Sequence, residues 1–163
     1  MKRIEANDPV ALCHWGGRRY QKGDYDGAIE YHTKAAGLGN ADSHFDLSVM
    51  YHEGQGVGKD KEKIWHHLEE AAICGHPHAR NNLGFLEYRD GRIERAVKHW
   101  IIAAKLGLDE SLETLKDAFG KGYVSKDDFA AALRAHQAAV DATKSPQREA
   151  EELAREELRG FFH

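Results

Sequence analysis

Apolar and small residues recur three, four or seven positions apart along most of the chain, the pattern of helices that bury one stripe. The stretch from Ala41 to Gly75 carries it most fully. Ser43, Leu47, Ser48 and Tyr51 share one helical face, and the glycine-rich run Gly54 to Gly58 stops that helix. Asp60 caps a second helix whose stripe is Ile64, Leu68, Ala71 and Ala72. Two amphipathic helices around a tight turn predict a helical hairpin.

The hairpin has copies. Ala-Ala pairs begin at Ala35, Ala71, Ala103 and Ala138, in steps of 36, 32 and 35 residues. A glycine follows the first three pairs (Gly39, Gly75, Gly107), and Ala28, Ile64, Ala96 and Ala131 stand seven residues before the pairs. In the first helices, Gly17-Tyr20-Gly23, Ser48-Tyr51-Gly54 and Lys116-Phe119-Gly122 keep one spacing. Gly84-Glu87-Gly91 departs from it, with a glutamate where the ring belongs. A period near 34 with two helices per unit predicts an all-α, right-handed solenoid (superhelix) of about four α-helical hairpin repeats plus a C-terminal helix. The repeats fall at about 8–40, 41–76, 77–108 and 109–144, and residues 145–163 form an amphipathic capping helix. Asp8, Asp24, His76 and Ser125 are expected N-caps, Asp109 opens the first helix of the fourth unit, and Pro9, Pro77 and Pro146 are read as helix starts. The terminal helix runs from Pro146 to Phe162 along an apolar line of Ala150, Leu153, Ala154, Leu158 and Phe161.

The second unit, through Ser43, Leu47, Tyr51, Gly54, Gly56, Val57, Asp60, Ala71, Ala72 and Gly75, resembles the Sel-one-like (Sel1-like) repeat, a relative of the tetratricopeptide repeat. The third unit keeps Ala79, Leu83, Gly84 and Ala103-Ala104 with Gly107; the first lacks the long turn, and the fourth is degenerate. The resemblance implies a protein–protein interaction scaffold or adaptor with a concave groove lined by the first helices. Carried over position by position, the groove residues are His14, Arg18, Phe45, Val49, His52, Asn81, Phe85, Arg89, Glu113 and Asp117. It also implies a protein or peptide partner, with Phe45, Val49 and Phe85 as an apolar centre and charged flanks. Some members bridge paired helices by disulfides, for which this chain lacks the paired cysteines.

Composition narrows the remaining choices. A net charge of −4 and a sequence pI near 6.2 argue against nucleic acid as partner. Two cysteines, Cys13 and Cys74, fit a reducing compartment, and the N-terminal residues carry no apolar run of the secretory kind. The expected location is cytoplasmic, with no membrane span. No nucleophile motif stands out: the expectation is no enzyme, no catalytic residue, no cofactor, no metal and no small-molecule substrate. Two alternatives stay open. One is a metal-binding or hydrolytic protein built on His/Cys clusters, chiefly Cys74-x-His76-x-His78 with His44 or Cys13. The other is a repeat-only fragment of a larger multidomain protein. His66, His67 and His99 are read as packing residues, and His136 has no evident partner.

Overall fold

The computed structural model describes residues 8–161. Eight helices follow one another, with no strand among the described residues: α1 (Pro9–Gln21), α2 (Tyr25–Gly37), α3 (Ala41–Glu53), α4 (Lys61–Ile73), α5 (Pro77–Arg89), α6 (Ile93–Lys105), α7 (Asp109–Gly120) and α8 (Lys126–Phe161). The protein is an all-α array of helical hairpins. The chain divides into two compact units, Met1–His99 and Trp100–His163, and the division falls inside α6.

Local chemistry fixes most of the helix starts. Asp8, Asp24, Asn40 and Asp60 each accept from a backbone amide of the first turn, and His76 does the same through Nδ1, 3.1 Å from the Ala79 amide. Ser125 accepts from the Asp128 amide and donates to the Asp128 carboxylate, a reciprocal cap. At α7, Asp109 is the first helical residue, and Leu108 precedes it with no side-chain cap.

The Ala-Ala pairs are stops as well as packing sites. The first alanine of each pair (Ala35, Ala71, Ala103) accepts from the amide of Asn40, His76 or Leu108. The second (Ala36, Ala72, Ala104) accepts from the amide of Gly39, Gly75 or Gly107. This is the Schellman pattern, which needs a left-handed residue at the glycine; φ there is 84°, 85° and 94°. The long turn after α3 needs glycine for another reason. A Cβ on Gly56 would lie 2.8 Å from Tyr25 Cβ and 2.9 Å from Ile29 Cδ1, so this turn packs directly on α2.

In the first unit, α1 packs on α2, α2 on α3, α3 on α4 and α4 on α5, with α1 also touching α3. Leu68, Ala71, Ala72, Ala79 and Leu83 form a buried cluster, against which Phe45, Ile64, Trp65 and Leu86 pack. The small side chains let α4 and α5 approach closely. Glu87, the acid at the expected ring position, is buried and paired with Arg92 and with Arg95, the latter at 2.9 Å. The two guanidiniums thus supply the partners that a buried carboxylate requires.

In the second unit, α7 packs on α8, and Phe119 stacks on Phe129 with ring centroids 5.2 Å apart. His136 does have a partner: its Nε2 lies 2.8 Å from Asp109 Oδ1. A second expectation also changes. Pro146 does not open a separate helix; α8 runs through it. The reason is at Ala142, which stands where Gly39, Gly75 and Gly107 end the other second helices. Without a glycine the Schellman stop is missing, and the alanine- and charge-rich sequence continues as helix despite the proline. Of the expected apolar line, Ala150 is exposed. The side chains of Leu153, Ala154, Leu158 and Phe161, and all of Phe162, lie outside the described residues.

Candidate functional site

The first helices of the second and third hairpins, α3 and α5, flank a cavity of about 290 Å³. Ser48, Val49 and His52 line it from α3, and Asn82, Phe85, Leu86 and Arg89 from α5. Ile64 and Leu68 of α4 contribute two further apolar side chains. Helical period explains the grouping: Val49 and His52, like Phe85 and Arg89, are three or four residues apart and share a face. Aliphatic side chains and the Phe85 ring thus surround the space, with Ser48, His52, Asn82 and Arg89 as its polar members. Phe85 is 43% exposed although it is a large ring.

Four of the expected groove residues, Val49, His52, Phe85 and Arg89, therefore meet in one cavity. Phe45 does not join them there. Its ring stacks on His76 at 4.5 Å between centroids and packs against the buried cluster. With Val49 it lines a neighbouring cavity of about 340 Å³ between α1, α2 and α3. Asn81 is 1% exposed and cannot present its amide to a partner, whereas the next residue, Asn82, lines the groove. His14 and Arg18 are exposed on α1, and the Arg18 guanidinium lies over the Trp15 ring. Glu113 and Asp117 are exposed on α7 in the second unit, where Lys116 comes within 3.9 Å of Glu113. Ser48, Asn82 and Leu86 were not expected at the groove. Leu86 is half-buried, and only the packing of α3, α4 and α5 places part of it at a cavity wall.

Residues 10–40, 41–76 and 77–108 each match the Sel1 repeat, more than half of the chain. The chain belongs to the Sel1 repeat family. Sel1 repeat proteins are generally protein-interaction modules built from helical repeats. Among solved structures, the chain is similar to c5321, described as a protective antigen present in uropathogenic Escherichia coli strains and displaying an SLR fold. Identity is 25% and the TM-score 0.69, over 81% of this chain and 31% of that one. It is also similar to a Sel1 repeat protein from Oxalobacter formigenes, at 25% identity and a TM-score of 0.69, over 82% of this chain and 59% of that one. The chain thus spans about a third of the first relative and about three fifths of the second. No helix among the described residues is long and apolar enough to cross a membrane.

The Sel1 repeats also gather histidines, though not in the motif the sequence suggested. Cys74 and His78 are exposed, while His76 is held by its cap, by Phe45 and by Asp42 at 3.4 Å. His44 and His67 instead meet across α3 and α4, Nδ1 to Nδ1 at 3.0 Å, and Tyr51 stacks on His67. Burial, then His44, His66 and Lys63, push His67 down to about 4, so it stays neutral near pH 7. A further group joins Cys13, a candidate ligand from the sequence, to two residues the sequence did not suggest. Cys13 of α1, His32 of α2 and Asp46 of α3 bring one ligand atom each within 4.8 Å of the others. No local spacing announces it, because each residue comes from a different helix.

Proposed function

We propose that this protein is an adaptor whose α3–α5 groove binds a peptide segment of a protein partner. The cavity enclosed by Val49, Leu68, Phe85 and Leu86 is the observation that carries this reading. It suits one apolar anchor side chain, and Arg89 at the same cavity suits an acidic residue one turn or two positions away. The family's general role in protein interaction supports the class of partner, and the groove chemistry supports its make-up. Phe45 is left out of the binding set because its packing on the buried cluster makes it part of the fold.

A peptide library displayed against the purified protein tests the proposal. The expected result is enrichment of sequences pairing an aliphatic or aromatic residue with a nearby Asp or Glu. Phe85→Ala and Arg89→Glu, both at exposed positions, should each reduce binding of the selected peptide about tenfold or more, in the range of an interface hot spot. Helicity and thermal midpoint should stay near wild type. Selected peptides that bind both variants as tightly as wild type place the site elsewhere.

A further inference from the structure

Cys13, His32 and Asp46 are brought together by the packing of the first three helices, apart from the α3–α5 groove. His32 is almost wholly buried, at 1% exposure, and its ring is accommodated only because Gly16 has no side chain. A Cβ at Gly16 would lie 2.7 Å from His32 Nε2. On its other side, His32 Nδ1 lies 3.3 Å from Ser43 Oγ and 3.6 Å from Asp46 Oδ2. The neighbouring cavity of about 340 Å³ is lined by both His32 and Asp46, which gives solvent and small solutes a way in. Asp42 lies near enough to act electrostatically on both Cys13 and Asp46.

We propose that Cys13, His32 and Asp46 form a binding site for a divalent transition-metal cation of the zinc class, clasping α1, α2 and α3. One sulfur, one imidazole nitrogen and one carboxylate oxygen are donors that such an ion accepts together, and three protein ligands leave a fourth position for water. The charges balance: a thiolate and a carboxylate offset a dication, and the imidazole ligates neutral. On binding, any proton on the Cys13 thiol or the Asp46 carboxyl passes to solvent. Burial raises the Cys13 thiol, and burial followed by Asp42 lifts Asp46 to about 6, so the ion competes with protons and binding should strengthen as the pH rises. Burial keeps His32 below its ordinary value and hence neutral, the form that ligates. Nδ1 is the ring nitrogen that faces Asp46, so on ligation it exchanges its contact with Ser43 for the ion.

Cobalt(II) is the probe, since its thiolate complexes absorb where the free ion does not. Titration of the purified chain under reducing conditions should saturate at one cobalt per chain, with a sulfur-to-cobalt charge-transfer band. Cys13→Ser should abolish that band, and Asp46→Asn should weaken binding roughly 10–100-fold, a loss that even an outer partner can cause. Cys74→Ser should change neither. Absence of stoichiometric binding, a band that survives Cys13→Ser, or one that disappears in Cys74→Ser overturns the proposal. Should circular dichroism reveal that Cys13→Ser is unfolded, the wild-type chain decides the matter. Zinc should slow alkylation of Cys13 by iodoacetamide, read by peptide mass, and leave Cys74 unaffected; an unchanged rate at Cys13 overturns the site.

Discussion

Asp46 sits half-buried on α3, beside Asp42 and 3.6 Å from His32. Burial, and then the like charge of Asp42, lifts its carboxyl from the ordinary 3.8 to about 6. A raised carboxyl holds its proton more tightly in the folded chain than in the unfolded one. Its contribution to stability is therefore complete below about pH 4 and is lost as the pH rises through about 6. At pH 8 the wild type carries an unfavourable anion that Asp46→Asn lacks. With a chelator present, the variant should be more stable than wild type at pH 8 and indistinguishable from it near pH 4. The gain is on the order of 1 kcal/mol after allowance for solvent screening at a half-exposed group, or about 2–4 °C in thermal midpoint. Parallel melting curves across that pH range would rule out a carboxyl of this kind. None of this was legible in the sequence, where Asp46 is one acid among many. Its environment is made by residues from α1, α2 and α3, and only the packing assembles them.

Helix ends were far more legible, because a cap or a stop is decided within a few residues. Asp8, Asp24, Asp60, His76 and Ser125 cap as their side-chain chemistry requires, and each Ala-Ala pair that is followed by glycine ends in a Schellman turn. The same rule, applied to Ala142, contains the continuous α8 that the proline obscured. Pro146 withholds an amide from the carbonyl of Ala142, and an interior proline disfavours helix by about 3 kcal/mol, yet no glycine offers the chain a way out. Ala142→Gly should supply that exit. Glycine is about 1 kcal/mol less favourable than alanine in a helix interior and restores the left-handed option. Far-UV circular dichroism should lose helix signal, and amide exchange should accelerate after residue 142, with protection of α1 to α5 unchanged. Pro146→Ala should move both readings the other way. Equal exchange protection in wild type and Ala142→Gly would mean that the missing glycine is not what prolongs α8.

Across the molecule, the repeat positions that define the family are mostly packing positions, so they report the architecture in detail and the binding surface only by proxy. Four of the nine residues that line the cavity were named from first-helix positions: Val49, His52, Phe85 and Arg89. The same carry-over also selected Asn81, one turn before Phe85 but buried. A repeat array holds together through the interfaces between adjacent units, each of which adds its own coupling to the intrinsic stability of the hairpins. The α4–α5 seam joins the second repeat to the third, and Ala71, Ala72 and Ala79 make it a small-residue contact. Ala72 is 2% exposed, with no room for a longer side chain unless the helices move apart. Ala72→Leu should destabilise the protein by about 1–3 kcal/mol through overpacking. The injury is to an interface between units, so denaturant unfolding should also broaden as the flanking hairpins uncouple, with a lower apparent m-value. Glu69→Leu, one turn away on the exposed side of the same helix, should stay within about 0.5 kcal/mol of wild type. A sharp transition at the wild-type midpoint for Ala72→Leu would show that close approach of α4 and α5 does not hold these repeats together.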